Sequence, residues 1–408
     1  MNSSTSFDSE VLAVLPAAVI PHVAELAPKQ FKLLVPRHWK PEVAVNKNAK
    51  RIEEATLAWF GELGCTERQI AKVRKFQPSL YMGMSFPLAG EEEALLIAKY
   101  LSLWLLWDDV AIENQQNAWK ISAHHVLSGE LPASATIFDI GWWTLLRQLA
   151  NTMSPAWIER LCQSMATWSD AALHEARLSQ QWNAGARVTL AEALQSRIDT
   201  IGMYATAYLV EYAIGFELPG SFHDHPTVKR IKTLSNKIVG LGNEIFSFAK
   251  DYSQDYINVI SALRKERSIS MADALRRIVD MHNDTLIEFD FLASSLPSFG
   301  RACDAQVATW LQWLRYCCVG FSVWESVAPR YSEFKLVVNG QRLETTFAYY
   351  AEDTWPVAAS PRTELRDLAL GKAAERICSI SSTKLKGKSI AFPRDRQARS
   401  EPPLSTRT

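Results

Sequence analysis

Two groups of oxygen-bearing side chains are spaced as metal ligands on helices would be. In the first group, Asp109 and Glu113 are four positions apart and project from one helix face, with Asp108 beside them. Carboxylates this close repel each other unless a cation lies between them, and Mg²⁺ is a hard cation that prefers oxygen ligands shared with phosphate. The spacing therefore predicts a divalent-metal site or, as the alternative, a solvated helix end.

The second group lies later in the chain on one helical stripe. Asn243, Ser247 and Asp251 supply an amide, a hydroxyl and a carboxylate at positions i, i+4 and i+8. Apolar residues occupy most of the positions between them, as in a helix that lies inside an apolar body. The three oxygens could chelate one cation. By itself, such a stripe could also face water or another helix.

Basic residues near these groups could bind a phosphorylated substrate. Arg197 precedes the second group, Lys250 lies within it, and the pair Arg330-Tyr331 follows a segment with helical periodicity. A guanidinium group binds phosphate oxygens in a bidentate manner, and a hydroxyl adds a further donor. Taken one at a time, such residues are typical of a protein surface.

In their order and helical placement, these motifs resemble those of the class I terpene synthases. Residues 108–113 resemble that family's aspartate-rich motif, D-D-x-x-D/E, but the last acid comes one position late relative to Asp108. Either Asp109 leads, with Glu113 at the expected spacing, or Asp108 binds metal and Glu113 contributes less. The second group resembles the metal motif N-D-x-x-S-x-x-x-E, with Asp251 where glutamate is more common.

The resemblance also assigns roles to other residues. Arg197 matches the arginine that senses diphosphate in the family. The resemblance also implies a helix break at Thr200, Ile201 and Gly202, where a backbone carbonyl turns toward the allylic carbon of the substrate. A glycine within a helix costs about 1 kcal/mol relative to alanine, which is consistent with a break there. The residues implied to bind the diphosphate are Arg197, Lys250, Arg330 and Tyr331.

A prenyl chain and its cation require an apolar cavity with aromatic faces. We expect Phe86 and Trp324 to line this cavity, although other aromatic residues near the motifs could serve or could pack in the core. Trp324 is favoured because family members often carry an aromatic residue shortly before the Arg-Tyr pair.

The implied activity is that of a microbial, especially fungal, sesquiterpene cyclase. Three Mg²⁺ ions would ionise farnesyl diphosphate, diphosphate would leave, and the carbocation would cyclise to a hydrocarbon or alcohol. A chain-elongating prenyltransferase is an alternative, but it normally carries two D-D-x-x-D motifs, and this sequence has one acidic motif. A noncatalytic helical protein that binds a hydrophobic ligand or partner is another, but it would not need metal ligands and phosphate donors.

Helical periodicity dominates the segments that must position these residues. The best strand pattern is Phe334–Val338, followed by the turn Asn339-Gly340, which predicts a small hairpin. We therefore expect an all-α fold, a single class I terpenoid synthase bundle around a central cavity. The long helical segments are expected near residues 155–178, 189–214, 226–251, 271–294 and 305–328.

Local composition suggests three regions. Frequent prolines predict an irregular N-terminal arm over residues 1–50 that lies on the body of the protein. Residues 51–378 form the expected catalytic domain. Residues 379–408 are rich in Lys, Arg, Ser and Pro, which predicts a disordered tail.

Overall composition limits the class of protein. Lys plus Arg equals Asp plus Glu at 44 each, so the formal net charge is zero and no overall field favours nucleic acid. The six cysteines are scattered, and no apolar stretch reaches the length of a membrane span. We expect a cytoplasmic monomer or homodimer that binds a prenyl diphosphate and has no membrane span.

Overall fold

The structure is a computed structural model that describes Glu10 and residues 12–16, 28–112 and 118–350. Helices make up most of this part, which confirms the expected helical bundle. None of the helices in it is both long and apolar enough to cross a bilayer. The α-helices are α1 (Ala49–Glu62), α2 (Glu67–Phe76), α3 (Pro78–Ser85), α4 (Glu91–Trp107), α5 (Ala123–Ser128), α6 (Ile137–Leu149), α7 (Pro155–Asn183), α8 (Leu190–Thr200), α9 (Met203–Ile214), α10 (Gly220–Asp224), α11 (Pro226–Ser253), α12 (Val259–Arg267), α13 (Met271–Ser294), α14 (Arg301–Val327) and α15 (Pro329–Ser332).

Several helices begin where a side-chain oxygen accepts a free backbone N–H of the first turn. The hydroxyl of Thr66 accepts a hydrogen bond from the backbone N–H of Gln69, whose side chain accepts one from the backbone N–H of Thr66. The same reciprocal pair starts α6 at Thr136 and α8 at Thr189. Because these pairs satisfy two otherwise unpaired donors, they define the first residue of each helix, including the one that carries Arg197.

Helix α11 lies between two hydrophobic clusters. Ile238 and Val239 belong to the larger cluster, whereas Leu241 and Ile245 belong to the smaller one. The helix also packs against both α13 and α14. Since close-packed neighbours hold it on several sides, α11 is a rigid support for the polar stripe that contains Asn243.

A four-stranded sheet accompanies the bundle. Its strand order is β1-β3-β4-β2, with β3 antiparallel to β1 and β4, and with β2 parallel to β4. The predicted hairpin is confirmed, because Asn339 and Gly340 connect β3 to β4 with φ of +50° and +77°, as a tight two-residue turn requires. The strands are β1 (Leu12–Pro16), β2 (Lys29–Pro36), β3 (Phe334–Val338) and β4 (Gln341–Tyr350).

The described part of the N-terminal arm is less irregular than predicted, because it includes the strands β1 and β2, whereas residues 40–48 form no helix or strand. These strands pair with β3 and β4 at the far end of the described chain. The sequence around β1 and β2 therefore does not indicate that they form strands. Phe31, Leu33 and Val35 are buried on one face of β2, as expected for a strand on a core. Pro16 and Pro36 end their strands, where a missing N–H disturbs the sheet least.

A buried carboxylate connects this arm to the bundle. Asp290 of α13 accepts hydrogen bonds from His38 Nε2 at 2.9 Å and Trp39 Nε1 at 3.0 Å. It also accepts from Arg315 Nε and Nη2 of α14, at 3.0 and 2.9 Å. Burial alone would raise the pKa of Asp290, but Arg315 and the other donors outweigh burial and lower it to about 2. The ionised carboxylate therefore stabilises the folded state.

Replacing Asp290 by Asn should lower the free energy of unfolding by about 3–5 kcal/mol at pH 7, because Arg315 would be left buried without its partner. The folded-state pKa is depressed, so this contribution is present above the unfolded pKa of about 3.9 and is lost as pH falls toward the folded value. Urea unfolding at several pH values would measure it. A difference between wild type and Asp290→Asn that did not shrink between about pH 4 and pH 2 would contradict this assignment.

Candidate active site

A cavity of about 830 Å³, including its open mouth, lies among the helices of the bundle. Residues of α4, α7, α8, α11, α14 and α15 contribute to its wall, as the prediction of a central cavity requires. Most of the side chains selected from the sequence meet here. Those that line the cavity are Asp108, Arg197, Thr200, Ile201, Asn243, Ser247, Lys250, Asp251, Trp324, Arg330 and Tyr331.

The first acidic motif begins where α4 ends. After Trp107 the chain continues as a π-helical turn over Asp108–Ile112, a distortion that is frequent at functional sites. Asp108 lines the cavity, whereas the adjacent Asp109 is buried against basic side chains. Glu113 lies outside the described residues. The two aspartates thus have different surroundings, although they are neighbours in sequence.

Asp109 forms a bidentate ion pair with Arg330 of α15. Arg330 Nη1 and Nη2 donate to the two carboxylate oxygens at 2.5 and 2.6 Å, and Lys72 Nζ lies 2.8 Å from Oδ2. Burial would raise the pKa of Asp109, but Arg330, Lys250 and Lys72 together hold it well below its usual range. The first acidic motif is therefore connected directly to the Arg-Tyr pair.

The second group of ligands is preorganised on α11. Asn243, Ser247 and Asp251 are all buried and line the same side of the cavity, as the i, i+4, i+8 spacing predicts. Ser247 Oγ donates to Asp251 Oδ2 at 2.5 Å, and Asn258 Nδ2 donates to the same oxygen at 3.0 Å. These donors fix the carboxylate in place, and Lys250 Nζ lies 3.9 Å from its other oxygen.

Arg197 is held between two glutamates. Its Nε donates to Glu244 Oε1 at 2.5 Å, and its Nη2 lies 3.4 Å from Glu175 Oε1. Burial opposes its charge, but these two carboxylates raise the pKa of Arg197 well above its usual value. Burial also raises the pKa of Glu244 to about 7, although Arg197 acts in the opposite direction. The guanidinium group is thus a permanent cation at the cavity wall.

The predicted helix break is present just after Arg197. Helix α8 ends at Thr200, α9 begins at Met203, and Gly202 between them has a φ of +89°. A Cβ atom on Gly202 would lie 1.2 Å from the ring of Trp104, so only glycine fits this position. The carbonyl of Thr200 accepts a hydrogen bond from Trp168 Nε1 at 2.6 Å.

The two aromatic residues predicted for the cavity have different environments. Trp324 lines the cavity, and its ring stacks on Tyr81 with centroids 4.0 Å apart. Phe86 is fully buried and is not among the residues that line the described cavity, so it is not retained as a cavity residue. Phe86 caps the end of α3, where its carbonyl accepts a hydrogen bond from Asn46 Nδ2 and its ring packs in the core.

Several residues of the site were not predicted from the sequence. Lys72 comes from α2, and Glu175 and Trp168 come from α7, so each reaches the site from a helix without a recognised motif. Glu325 of α14 lines the cavity, and its Oε1 accepts a hydrogen bond from Asn243 Nδ2 at 3.0 Å. Burial raises the pKa of Glu325 to about 8, with the hydrogen bond from Asn243 opposing that shift. Only the tertiary fold brings these side chains to the cavity.

The oxygen donors fit a hard divalent cation that is shared with a substrate phosphate. Among the residues that the structure describes, no three His, Cys, Asp or Glu side chains form a ready-made metal cluster. Asp108 reaches the cavity from the end of α4, whereas Asn243, Ser247 and Asp251 reach it from α11. Mg²⁺ usually binds proteins through one or two carboxylates and completes its shell with water and substrate phosphates. This donor set therefore suits Mg²⁺ bound together with a diphosphate.

Known proteins share this fold and these sequence regions. Residues 99–288 match the family model described as terpene synthase family 2, C-terminal metal binding. The chain is 30% identical to sesquiterpene synthase 6 of Postia placenta over 278 residues, which cover 66% of this chain and 80% of the relative. It is 25% identical to 10-epi-cubebol synthase of Sorangium cellulosum over 312 residues, covering 72% of this chain and 96% of the relative.

Solved structures share this fold. The crystal structure of a linalool/nerolidol synthase from Streptomyces clavuligerus aligns with a TM-score of 0.61 at 20% identity, over 72% of this chain and all of that chain. The motifs, the cavity and the relatives all indicate one family. The chain is therefore a member of the class I terpene synthases and an enzyme of the lyase type.

Proposed function

We propose that this enzyme is a Mg²⁺-dependent sesquiterpene cyclase that ionises farnesyl diphosphate, releases diphosphate and cyclises the carbocation to a sesquiterpene hydrocarbon or alcohol. The observation that carries the proposal is that one cavity combines oxygen donors from two helices with arginine and lysine side chains and an aromatic wall. The polar side chains of such a cavity would bind a diphosphate, and its apolar side chains would contact the prenyl chain.

The names of the relatives support a C15 substrate. A (+)-T-muurolol synthase of Roseiflexus castenholzii, 24% identical over 299 residues, is described as cyclising (2E,6E)-farnesyl diphosphate. A germacrene A synthase of Nostoc punctiforme is 23% identical over 312 residues. Because the relatives include bacterial proteins, a fungal origin stays a prediction.

Three Mg²⁺ ions would be held from both sides of the cavity. On one side the proposed ligands are Asp108, which lines the cavity, together with Asp109, which is paired with Arg330, and Glu113, which lies outside the described residues. On the other side they are Asn243, Ser247 and Asp251, which line the cavity. Bound Mg²⁺ would act as a Lewis acid that stabilises the charge developing on the leaving diphosphate.

The protein's own donors would bind and orient the diphosphate. Arg197, Lys250 and Arg330 line the cavity as cations, and Tyr331 adds a hydroxyl. Burial raises the pKa of Tyr331 to about 12, so its phenol keeps the proton that it would donate. Preorganised donors of this kind stabilise a developing negative charge without reorganising during the reaction.

Aromatic rings would stabilise the carbocation after diphosphate leaves. Tyr81, Trp104, Phe321 and Trp324 line the cavity, and the electron-rich faces of such rings attract cations. Thr200 and Ile201, at the end of α8, line the same cavity. Exclusion of water from the space around these rings would prevent early capture of the cation.

Incubation of the purified enzyme with geranyl, farnesyl and geranylgeranyl diphosphates tests the proposed substrate and product. We expect a cyclic C15 hydrocarbon or alcohol, detected by gas chromatography with mass detection, from farnesyl diphosphate in the presence of Mg²⁺. In a parallel incubation with isopentenyl diphosphate added as the C5 co-substrate, longer prenyl diphosphates would show an elongating prenyltransferase instead. No Mg²⁺-dependent conversion of any of the three substrates would contradict the proposal.

A further inference from the structure

Glu325 is a buried acid in the cavity wall to which no motif assigns a role. Its side chain is 3% exposed and lies on α14, five positions before Arg330. Oε1 accepts the hydrogen bond from Asn243 Nδ2, whereas Oε2 is buried without a hydrogen-bond partner among the described residues. Burying a carboxyl group with one unsatisfied oxygen is unfavourable, so packing alone does not account for an acid at this position.

A glycine on α11 leaves room for this carboxyl group at the contact between α11 and α14. A Cβ atom on Gly242 would lie 2.8 Å from Ser322 Oγ and 3.5 Å from Glu325 Oε2. The glycine therefore lets α14 approach α11 closely, and this approach brings Glu325 beside Asn243. The short distance between the helices is a second feature, independent of the hydrogen bond, that places the acid against the metal motif.

The hydrogen bonds around Asn243 determine which of its atoms faces the cavity. Its amide nitrogen lies 3.0 Å from Glu325 Oε1 and 3.3 Å from the hydroxyl oxygen of Tyr331. With both acceptors on the nitrogen side, the amide oxygen is available as a ligand, because the carbonyl oxygen and the NH2 group of a side-chain amide point in different directions. The Tyr331 oxygen also accepts from Arg330 Nε at 3.3 Å, so its own proton remains available for a diphosphate.

We propose that Glu325 is a positioning residue, which holds the amide of Asn243 so that its oxygen faces the cation site and which links the second metal motif to the Arg330-Tyr331 pair. This inference rests on the proposed function, since it assigns to Glu325 an indirect role in binding Mg²⁺ and diphosphate. Hydrogen-bond partners of metal ligands commonly fix the orientation of those ligands, and their loss weakens metal binding about 10- to 100-fold.

Three substitutions separate the hydrogen bond from the charge. Glu325→Gln keeps an oxygen acceptor of the same reach, Glu325→Asp keeps the acid but shortens its reach, and Glu325→Met removes the acceptor while filling the space. Ser326→Ala is a matched control on the same helix, because the Ser326 hydroxyl donates to the carbonyl of Val323 and does not line the catalytic cavity.

The readout is the binding of Mn²⁺ in the presence of inorganic diphosphate, followed by electron paramagnetic resonance without turnover. We expect Glu325→Gln and Ser326→Ala to bind Mn²⁺ within about 3-fold of wild type, and Glu325→Asp and Glu325→Met to bind about 10- to 100-fold more weakly. Glu325→Met should keep the stability of the wild type in urea unfolding, since it replaces an incompletely satisfied acid by an apolar side chain.

Two results would overturn the inference while leaving the proposed function intact. One is wild-type binding of Mn²⁺ by both Glu325→Asp and Glu325→Met. The other is an equal loss in Glu325→Gln and Glu325→Met, which would show that the carboxylate charge itself binds the metal. If the wild type did not bind Mn²⁺ with diphosphate, the proposed function would fail, and the role of Glu325 with it.

Discussion

Replacing Arg330 by Met should lower turnover of farnesyl diphosphate by about 10²- to 10³-fold, because a donor aimed at developing negative charge is lost. The same change should reduce the free energy of unfolding by about 3 kcal/mol, since it leaves Asp109 buried without its bidentate partner. Lys72, 2.8 Å from the carboxylate, keeps this cost at the lower end of the range for buried pairs. Steady-state kinetics and urea unfolding measure the two effects separately.

A double variant distinguishes the effect of Arg330 on stability from its effect on turnover. In the double variant Asp109→Asn/Arg330→Met the buried charge is removed, so stability should return while turnover stays low. Lys75→Met is the matched control, because it breaks an ion pair with Glu333 whose partners are 58% and 46% exposed. That control should change stability by less than about 1 kcal/mol. Wild-type turnover in Arg330→Met would contradict the assignment of Arg330 to the diphosphate.

Replacing Asp251 by Asn should lower turnover by about 10²-fold or more and raise the Mg²⁺ concentration needed for activity, because one metal loses an anionic ligand. The fold should persist. Asn has the same size, and its amide oxygen can still accept the hydrogen bonds that Ser247 and Asn258 donate to a single carboxylate oxygen. Turnover measured as a function of Mg²⁺ concentration tests this expectation.

The control for Asp251 lies four residues later in the chain. Asp255 is exposed and follows α11, so Asp255→Asn removes the same charge without affecting the cavity wall. It should leave turnover and the Mg²⁺ requirement unchanged. Equal losses in the two variants, or full activity of Asp251→Asn at low Mg²⁺, would show that Asp251 is not a metal ligand.

Helical periodicity explains why much of the site could be predicted from the sequence. Asn243, Ser247 and Asp251 recur every four residues, so any regular helix places them on one side, and α11 does. Gly202 marked a helix break because glycine is poorly suited to a helix interior, and its φ of +89° is the conformation that favours glycine. In both cases the structure depends on helical spacing or backbone conformation, which are set by residues close in sequence.

Contacts between distant segments account for what the sequence did not reveal. Lys72 and Glu325 enter the site from α2 and α14, so their partners follow from tertiary packing and not from spacing. Strand β2 pairs with β4 near the other end of the described chain, so the proline-containing arm was predicted to be irregular. Phe86 precedes the acidic helix, as a cavity residue could, but it packs in the core instead.

The regions assigned to the two ends of the chain remain predictions. The structure describes residues 12–16 and 29–36 of the arm as parts of the sheet, and it describes the chain as far as residue 350 at the end of β4. The predicted domain end at residue 378 and the tail over residues 379–408 lie outside the described residues. Neither region enters the account of the cavity, all of whose described lining residues fall between Tyr81 and Tyr331.

The release of inorganic diphosphate from farnesyl diphosphate, measured with Mg²⁺ and again after chelation with EDTA, tests the central claim most directly. The account predicts release with Mg²⁺, matched in amount by a C15 product, and no release once the metal is chelated. Release that persists in EDTA, or no release with Mg²⁺, would contradict metal-dependent ionisation in this cavity.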